Sequence, residues 1–220
     1  MIIDKNSYRD LALVFFLSAL AIWASFHFIG PTWISWVIAI VLWLFCIFQM
    51  FFFRVPERQC PGTGRTVTSV ADGKISIVDT AFEKEFLGRE CKRVCIYMDF
   101  FDVHANFWPV EGEVTDYRYH PGKHFLAFKP KSSEENEHTT TVIRTSAGRE
   151  ILFRQIAGTF ARRIVCYSKP GLAVRAGEQC GIIKFGSRID FYLPMDAQIK
   201  VKPGDKVRAC ESVIAELPED

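Results

Sequence analysis

The stretch GIIKFGSRIDFYL, residues 181–193, consists of two apolar runs separated by a Gly-Ser pair. Short apolar runs bounded by turn residues are typical of buried β-strands, so we predict strands over Gly181–Phe185 and Ile189–Leu193. Gly186 has no Cβ atom, which favours a tight turn between them. The stretch therefore indicates a β-rich fold organised around residues 184–190.

Ser187 places a hydroxyl group directly beside the Gly186 carbonyl. A hydroxyl in that position can attack the carbonyl, and the resulting N-to-O acyl shift converts the amide into an ester. Gly-Ser pairs are also common in strand-end turns in which neither residue reacts. The pair alone leaves both interpretations open, so the rest of the sequence has to decide between them.

Short β-type runs separated by Gly, Pro and Asp fill the chain from Cys60 onward. This pattern is typical of an all-β sandwich or barrel. A weak repeat of Gly-acid turns at residues 173–178 and 200–205 suggests a barrel-sandwich-like architecture. Residues 160–167 fit either a strand or a helix, and the polar residues 129–138 predict a loop. The other predicted strands are Thr66–Val70, Lys74–Val78, Arg93–Met98, Gly112–Tyr119, Phe125–Phe128, Thr139–Thr145, Glu150–Ile156, Ala197–Val201 and Ser212–Glu216.

Two uncharged apolar runs, residues 11–29 and 32–53, precede the β-rich part and are separated by Gly30-Pro31. A helix of about 20 apolar residues is long enough to cross the hydrocarbon core of a bilayer. We therefore predict an N-terminal helical hairpin that is either transmembrane or re-entrant. The alternative is a buried helical pair in a soluble protein.

Basic residues flank this hairpin on both sides, with Lys5 and Arg9 before it and Arg54 and Arg58 after it. The positive-inside rule then places both ends in the cytoplasm. We divide the chain accordingly into a membrane-anchoring hairpin, residues 1–58, and a β-rich domain, residues 59–220.

The composition of the 220-residue chain argues against a nucleic-acid partner and against a metal site. Its formal net charge is +2, and it contains no dense run of Lys and Arg, so we predict no nucleic-acid partner. The seven cysteines are odd in number and scattered. We interpret them as reduced thiols, and we predict no metal site.

Asp102, His104 and Asn106 alternate along the chain and would share one face of an extended strand. A histidine oriented by a carboxylate can act as general base for a serine hydroxyl. Asp72 precedes Gly73 in a predicted turn, where aspartate commonly binds its own backbone. The alternative for His104 is a histidine whose hydrogen bonds are satisfied within a turn.

Seven motifs follow one another in a specific order along most of the chain. They are FFFRVPER at 51–58, ADGKI at 71–75, DVHANFWPVEG at 102–112, YHPGKHFLAF at 119–128, SSEENE at 132–137, QIAGTFARRIVCY at 155–167 and FGSRIDFYLP at 185–194. From about Phe51 to about Glu216 this set resembles the short, membrane-associated form of the phosphatidylserine decarboxylase family. Each motif is weakly specific by itself, whereas the ordered set is highly specific.

The resemblance implies a self-processing proenzyme with a mainly β catalytic domain. Ser187 would attack Gly186, and β-elimination would yield a β chain, 1–186, and an α chain, 187–220, which remain associated as a heterodimer. Residue 187 would become a pyruvoyl group, the cofactor with which the family converts phosphatidylserine into phosphatidylethanolamine and CO2. The implied partners are an anionic phospholipid and the cytoplasmic membrane, with the catalytic domain on its cytoplasmic side.

The resemblance also implies a His-Asp pair that activates the serine. His104 and Asp72 match the family's pattern, and Asp102 is a second candidate for orienting His104. Longer members carry another histidine, assigned as the base, at the position of Phe107. In this chain either His104 serves both processing and decarboxylation, or the base lies elsewhere.

Arg188 and Asn106 are the candidate substrate-binding residues. Arg188 could bind the carboxylate or phosphate of the lipid, or it could pair with Asp190.

Three alternative functions remain at this point. An archaetidylserine decarboxylase would perform the same headgroup chemistry on an ether lipid. A membrane-anchored β-domain adaptor without enzymatic activity would tolerate replacement of Ser187. A third alternative is a family member that folds but never matures.

Overall fold

The computed structural model describes residues 2–61, 64–123, 135–158, 163–184 and 187–218. The predicted strand Phe125–Phe128, most of the predicted loop and Gly186 lie outside these residues. The chain divides into two compact units, Met1–Pro56 and Glu57–Asp220.

The first unit is a hairpin of two apolar helices, α1 (Tyr8–Phe28) and α2 (Trp33–Phe52). Both helices are long and apolar enough to cross a membrane. Gly30 has a φ of 82° in the turn between them, a conformation that glycine adopts without a Cβ clash. Strands β1 (Ile2–Ile3) and β2 (Arg54–Val55) pair antiparallel, so the two ends of the hairpin lie side by side.

The second unit consists mainly of short strands joined by turns. Within the described residues these strands are β3 (Thr66–Thr68), β4 (Gly73–Glu83), β5 (Arg89–Met98), β6 (Ala105–Phe107), β7 (Gly112–His120), β8 (His138–Arg144), β9 (Glu150–Ala157), β10 (Arg163–Cys166), β11 (Ala173–Val174), β12 (Gln179–Lys184), β13 (Ser187–Leu193), β14 (Gln198–Ile199), β15 (Lys206–Val207) and β16 (Val213–Glu216).

Eight of these strands form one curled sheet in the order β11-β7-β8-β9-β13-β5-β4-β15. Two three-stranded sheets, β10-β12-β6 and β14-β16-β3, complete the unit. Alternate residues of β13 point into the main apolar core, namely Ile189, Phe191 and Leu193, and all three are fully buried. Burial of such side chains is the dominant favourable contribution to folding. The predicted class, mainly β after two apolar helices, is confirmed.

The arrangement of β12 and β13 positions the stretch from which the sequence analysis began. Both predicted strands are present, but β12 pairs with β10 and β6, whereas β13 pairs with β9 and β5. The chain therefore passes from one sheet to another between Lys184 and Ser187. The ambiguous stretch at 160–167 contains strand β10 in its described part. The two repeated turns lead into β12 and β15, which agrees with an architectural role for the repeat.

Candidate active site

Ser187 is the first residue of β13 and is fully buried. It lies opposite Met98 of β5 on one side and Ala157 of β9 on the other. Its hydroxyl donates a hydrogen bond to the Met98 thioether, with 2.9 Å between Oγ and Sδ. Because a thioether is only a weak acceptor, this contact orients the hydroxyl without deprotonating it. Gly186, the other residue of the predicted cleavage site, lies outside the described residues.

His104 lies immediately before β6 and is fully buried. Its main-chain carbonyl accepts a hydrogen bond from the Ile183 N–H at 3.2 Å, on the strand that precedes Ser187. Its Nδ1 lies 3.0 Å from the main-chain carbonyl oxygen of Asp102. Since a carbonyl only accepts, we assign the proton of the neutral ring to Nδ1, which leaves the lone pair on Nε2.

The carboxylate of Asp72 connects distant parts of the second unit. It binds the Arg58 guanidinium through two contacts, the Nη1–Oδ1 contact and an Nη2–Oδ2 hydrogen bond of 2.7 Å. The Ala209 N–H also donates to Asp72 Oδ1 at 2.8 Å. The hydrogen bond to Asp72 raises the pKa of Arg58. The orientation of His104 by Asp72 stays a prediction.

Asp102 closes the turn between β5 and β6. Its Oδ2 accepts a hydrogen bond from the Asp99 N–H at 2.7 Å, and its own N–H donates to the Asp99 carbonyl at 3.1 Å. Burial raises the pKa of the Asp102 carboxyl above its ordinary 3.8, and the Asp99 hydrogen bond partly opposes this. The contact with His104 described above uses the main-chain carbonyl of Asp102, whereas the sequence suggested its carboxylate.

Asn106 belongs to a buried chain of hydrogen bonds. Gln155 Nε2 donates to Asn106 Oδ1 at 2.8 Å, and Thr139 Oγ1 donates to Gln155 Oε1 at 2.9 Å. Gln155 and Ala157 lie on the same face of β9, and Ala157 is the residue opposite Ser187. The three hydrogen-bonded side chains therefore lie on the interior side of the sheet, which Ser187 also faces. Asn106 Nδ2 has no acceptor within the part of the chain that the structure describes.

Comparison with known proteins gives a consistent result. The family model for phosphatidylserine decarboxylase matches residues 45–215. A Porphyromonas gingivalis protein named phosphatidylserine decarboxylase proenzyme is 41% identical over 196 residues, 88% of this chain and 89% of its own length. A Cytophaga hutchinsonii protein of the same name is 38% identical over 218 residues, 99% of each chain. The chain belongs to the phosphatidylserine decarboxylase family.

The match to the family model includes every candidate site residue, from Asp72 to Arg188. A further relative, from Nitrosomonas eutropha and also named phosphatidylserine decarboxylase proenzyme, is 43% identical over 183 residues, 83% of this chain and 84% of its own length. The family resemblance inferred from the ordered motifs is therefore confirmed.

Arg188 is almost fully buried and forms an ion pair within its own strand. Its Nε and Nη2 bind the two carboxylate oxygens of Asp190 at 2.5 and 3.2 Å, and Nη2 also contacts Cys95 Sγ at 2.9 Å. Burial lowers the pKa of Arg188, but Asp190 and Cys95 outweigh this and the net shift is upward. The structure thus shows the pairing with Asp190 that the sequence left as an alternative, and substrate binding by Arg188 stays a prediction.

Three residues of the site, Met98, Gln155 and Thr139, were not predicted. Met98 ends an apolar strand and is indistinguishable there from an ordinary core residue. Gln155 leaves a weak signal, since it and Arg154 are the two polar residues in the otherwise apolar run ILFRQIA. Within the described ranges, no group of three or more His, Cys, Asp or Glu side chains is arranged to hold a metal ion.

Proposed function

We propose that this protein is a phosphatidylserine decarboxylase that is made as a proenzyme and cleaves itself between Gly186 and Ser187. The position of Ser187 carries the proposal, because its hydroxyl is fully buried and oriented at the start of an interior strand. Membership of a family whose relatives are named proenzymes supports a processed form.

The self-cleavage is an intramolecular acyl transfer. Ser187 Oγ attacks the Gly186 carbonyl carbon, the C–N bond breaks, and the residue-187 nitrogen takes up a proton, leaving an ester. Removal of the Ser187 α-proton then expels the Gly186 carboxylate and leaves dehydroalanine at 187. Addition of water and loss of ammonia convert this residue into an N-terminal pyruvoyl group.

We assign the role of base to His104. Its Nε2 carries the lone pair that accepts the serine proton, because the Asp102 carbonyl binds the Nδ1 side of the ring. Phe107, at the position of the second histidine of longer members, is almost fully buried and cannot accept a proton. His104 therefore serves both the processing and the decarboxylation step in this proposal.

A pyruvoyl group at residue 187 would face the same interior side of the sheet as the hydrogen-bonded side chains of Asn106, Gln155 and Thr139. Its carbonyl oxygens only accept hydrogen bonds, and Asn106 Nδ2 is a buried donor that lacks an acceptor among the described residues. We propose that Asn106 donates to this group or to the substrate bound beside it. Once formed, the group supplies a ketone that withdraws electrons from the amine-bearing carbon of the lipid headgroup, so that CO2 can leave.

We further propose that residues 1–58 anchor the enzyme in the cytoplasmic membrane and that residues 59–220 form the catalytic domain on the cytoplasmic side. The acyl chains of the substrate stay in the bilayer, so an anchored enzyme meets the headgroup at the membrane surface. The basic residues Lys5, Arg9 and Arg54 at the ends of the hairpin support this orientation.

The deciding experiment is the intact mass of the purified wild type beside that of Ser187→Ala. We expect two wild-type fragments divided between Gly186 and Ser187, the smaller one blocked at its N-terminus by a carbonyl that borohydride reduces. The variant should remain one chain. An uncut wild-type chain would refute the mechanism and favour an adaptor or an immature homologue.

Assays of the cleaved enzyme with phosphatidylserine and with archaetidylserine then distinguish the two lipid substrates.

A further inference from the structure

The turn between β5 and β6 exposes two adjacent aromatic side chains. Phe100 is 37% exposed and Phe101 is 70% exposed. The turn is held in one shape by hydrogen bonds from the Asp99 N–H to Asp102 and from the Phe100 N–H to the Asp99 carboxylate, both of 2.7 Å. We call residues 99–102 the aromatic turn. Two adjacent exposed aromatic side chains form a contiguous apolar patch, and such patches mark surfaces that bind proteins or membranes.

The aromatic turn is directly connected to the candidate active site. It begins one residue after Met98, whose thioether contacts the Ser187 hydroxyl. It ends two residues before His104, and its last residue, Asp102, provides the carbonyl that binds the imidazole. A surface bound by the turn would therefore lie close to the reacting residues.

Two exposed lysines lie beside the aromatic turn. Lys74 pairs with Tyr97 across β4 and β5, and Lys206 pairs with Lys74 across β15 and β4. Burial raises the pKa of the nearby Asp102 carboxyl, and the positive charge of Lys206 acts in the opposite direction. Aromatic side chains beside basic ones are the combination expected at the interface of an anionic bilayer.

We propose that the aromatic turn, together with Lys74 and Lys206, binds the surface of an anionic phospholipid bilayer. Phe100 and Phe101 enter the headgroup region, and the two lysines bind lipid phosphates and carboxylates. The contact positions a headgroup in front of Ser187 and His104, a role distinct from anchoring by the apolar helices. This inference rests on the proposed lipid substrate.

The test compares two forms of the same substrate in the full-length, self-cleaved enzyme. One is phosphatidylserine in phosphatidylcholine vesicles, and the other is dihexanoyl phosphatidylserine dissolved below its micelle concentration. For Phe100→Ser/Phe101→Ser we expect kcat/KM to fall about tenfold on vesicles and to change by less than about twofold on the soluble lipid. Self-cleavage should be unaffected. Phe82→Ser, which removes another exposed aromatic residue (62%), is the matched control and should alter neither rate.

The outcomes separate this inference from the proposed function. Equal losses on both lipids, or no loss on vesicles, would overturn the membrane contact while the decarboxylase assignment stands. A wild type that decarboxylates neither lipid would contradict the proposed function itself. If the serine variant does not fold, Lys74→Gln/Lys206→Gln provides the second test. At low salt, the rate of this variant on vesicles should be lower than that of the wild type. At high salt the two rates should become similar, because salt screens the attraction between lysines and lipids. A variant with the wild-type rate at low salt would overturn the proposal.

Discussion

His104 is the residue on which the proposed chemistry depends most directly after Ser187. We predict that His104→Ala slows self-cleavage by about 100-fold or more, because the imidazole that accepts the serine proton in our proposal is removed. The measurement is a time course of intact mass from the freshly purified precursor. His120→Gln, which changes a partly exposed histidine, is the control and should cleave at the wild-type rate. Cleavage of His104→Ala at an undiminished rate would remove this residue from the mechanism.

Asp190 neutralises a guanidinium that has almost no access to water. We predict that Asp190→Asn lowers the free energy of unfolding by about 3–5 kcal/mol, because it leaves the buried Arg188 charge uncompensated. The comparison is Asp79→Asn, whose partner Arg93 lies in a solvent-exposed pair and which should cost less than about 1 kcal/mol. Urea unfolding in a Ser187→Ala background keeps every protein as one chain. Equal costs at the two sites would show that Asp190 is not needed to balance a buried charge.

His138 makes the stability of the protein depend on pH. Burial lowers its pKa below the ordinary value of 6.5. As the pH falls through 6.5, the unfolded chain takes up this proton before the folded one, so folding stability decreases towards acid pH and levels off below the folded-state pKa. We predict that His138→Gln has a shallower loss of unfolding free energy than the wild type between about pH 7 and pH 5. Superimposable pH profiles would contradict this.

Sequence alone suggested candidate residues for the site but not the contacts that they make. Ser187, His104 and Asn106 became candidates because their chemistry is visible in short motifs, and their roles stay predictions. The partners of Asp72, in contrast, are Arg58 and Ala209, which are brought together only by the fold. Pairing across strands depends on sheet order, and no local pattern around Asp72 encodes it.

At the scale of elements, Glu83 holds the turn between β4 and β5. Its carboxylate accepts main-chain hydrogen bonds from Phe86 and Leu87 at 2.9 and 2.8 Å, and it binds Arg154 Nη2 at 2.7 Å. We predict that Glu83→Gln lowers the free energy of unfolding by about 2–3 kcal/mol, because buried charged hydrogen bonds are lost. Amide exchange at Phe86 and Leu87 should also accelerate.

Glu85→Gln is the matched control in the same turn, since the Glu85 side chain is 21% exposed. It should leave the exchange of both amides nearly unchanged. Similar acceleration in the two variants would mean that charge in the turn, and not the Glu83 carboxylate itself, stabilises it.

The strands were predicted more reliably than the sheets that contain them. Apolar runs bounded by turn residues located β5, β7, β9 and β13 within a few residues, because local patterns determine which segments are extended. The division of β12 and β13 between two sheets is set by packing against strands far away in sequence. The two-residue strands β11 and β15 are too short to produce an alternating pattern.

At the scale of the whole molecule, the apolar hairpin and the β-rich unit should be separable in function. We predict that a chain lacking residues 1–50 still cleaves itself, because the strands around Ser187 belong to the second unit. Its binding to phospholipid vesicles should fall by at least about tenfold, since the apolar helices are lost. Cosedimentation and intact mass measure the two properties. Undiminished vesicle binding would count against the hairpin as the anchor.

The interior position of β13 has a consequence for how the activity is supplied in a cell. Seven residues of this strand are paired with β5 and six with β9. On the proposed function, the reactive group is the first residue of that strand and is covalently part of the protein. Unlike a cofactor that binds reversibly, it does not dissociate on dilution, and it does not depend on a supply of vitamin or coenzyme. Protein synthesis alone then sets the number of working enzymes. A group inactivated by chemical damage cannot be exchanged for a fresh one, so the working life of the enzyme ends with that of its own polypeptide.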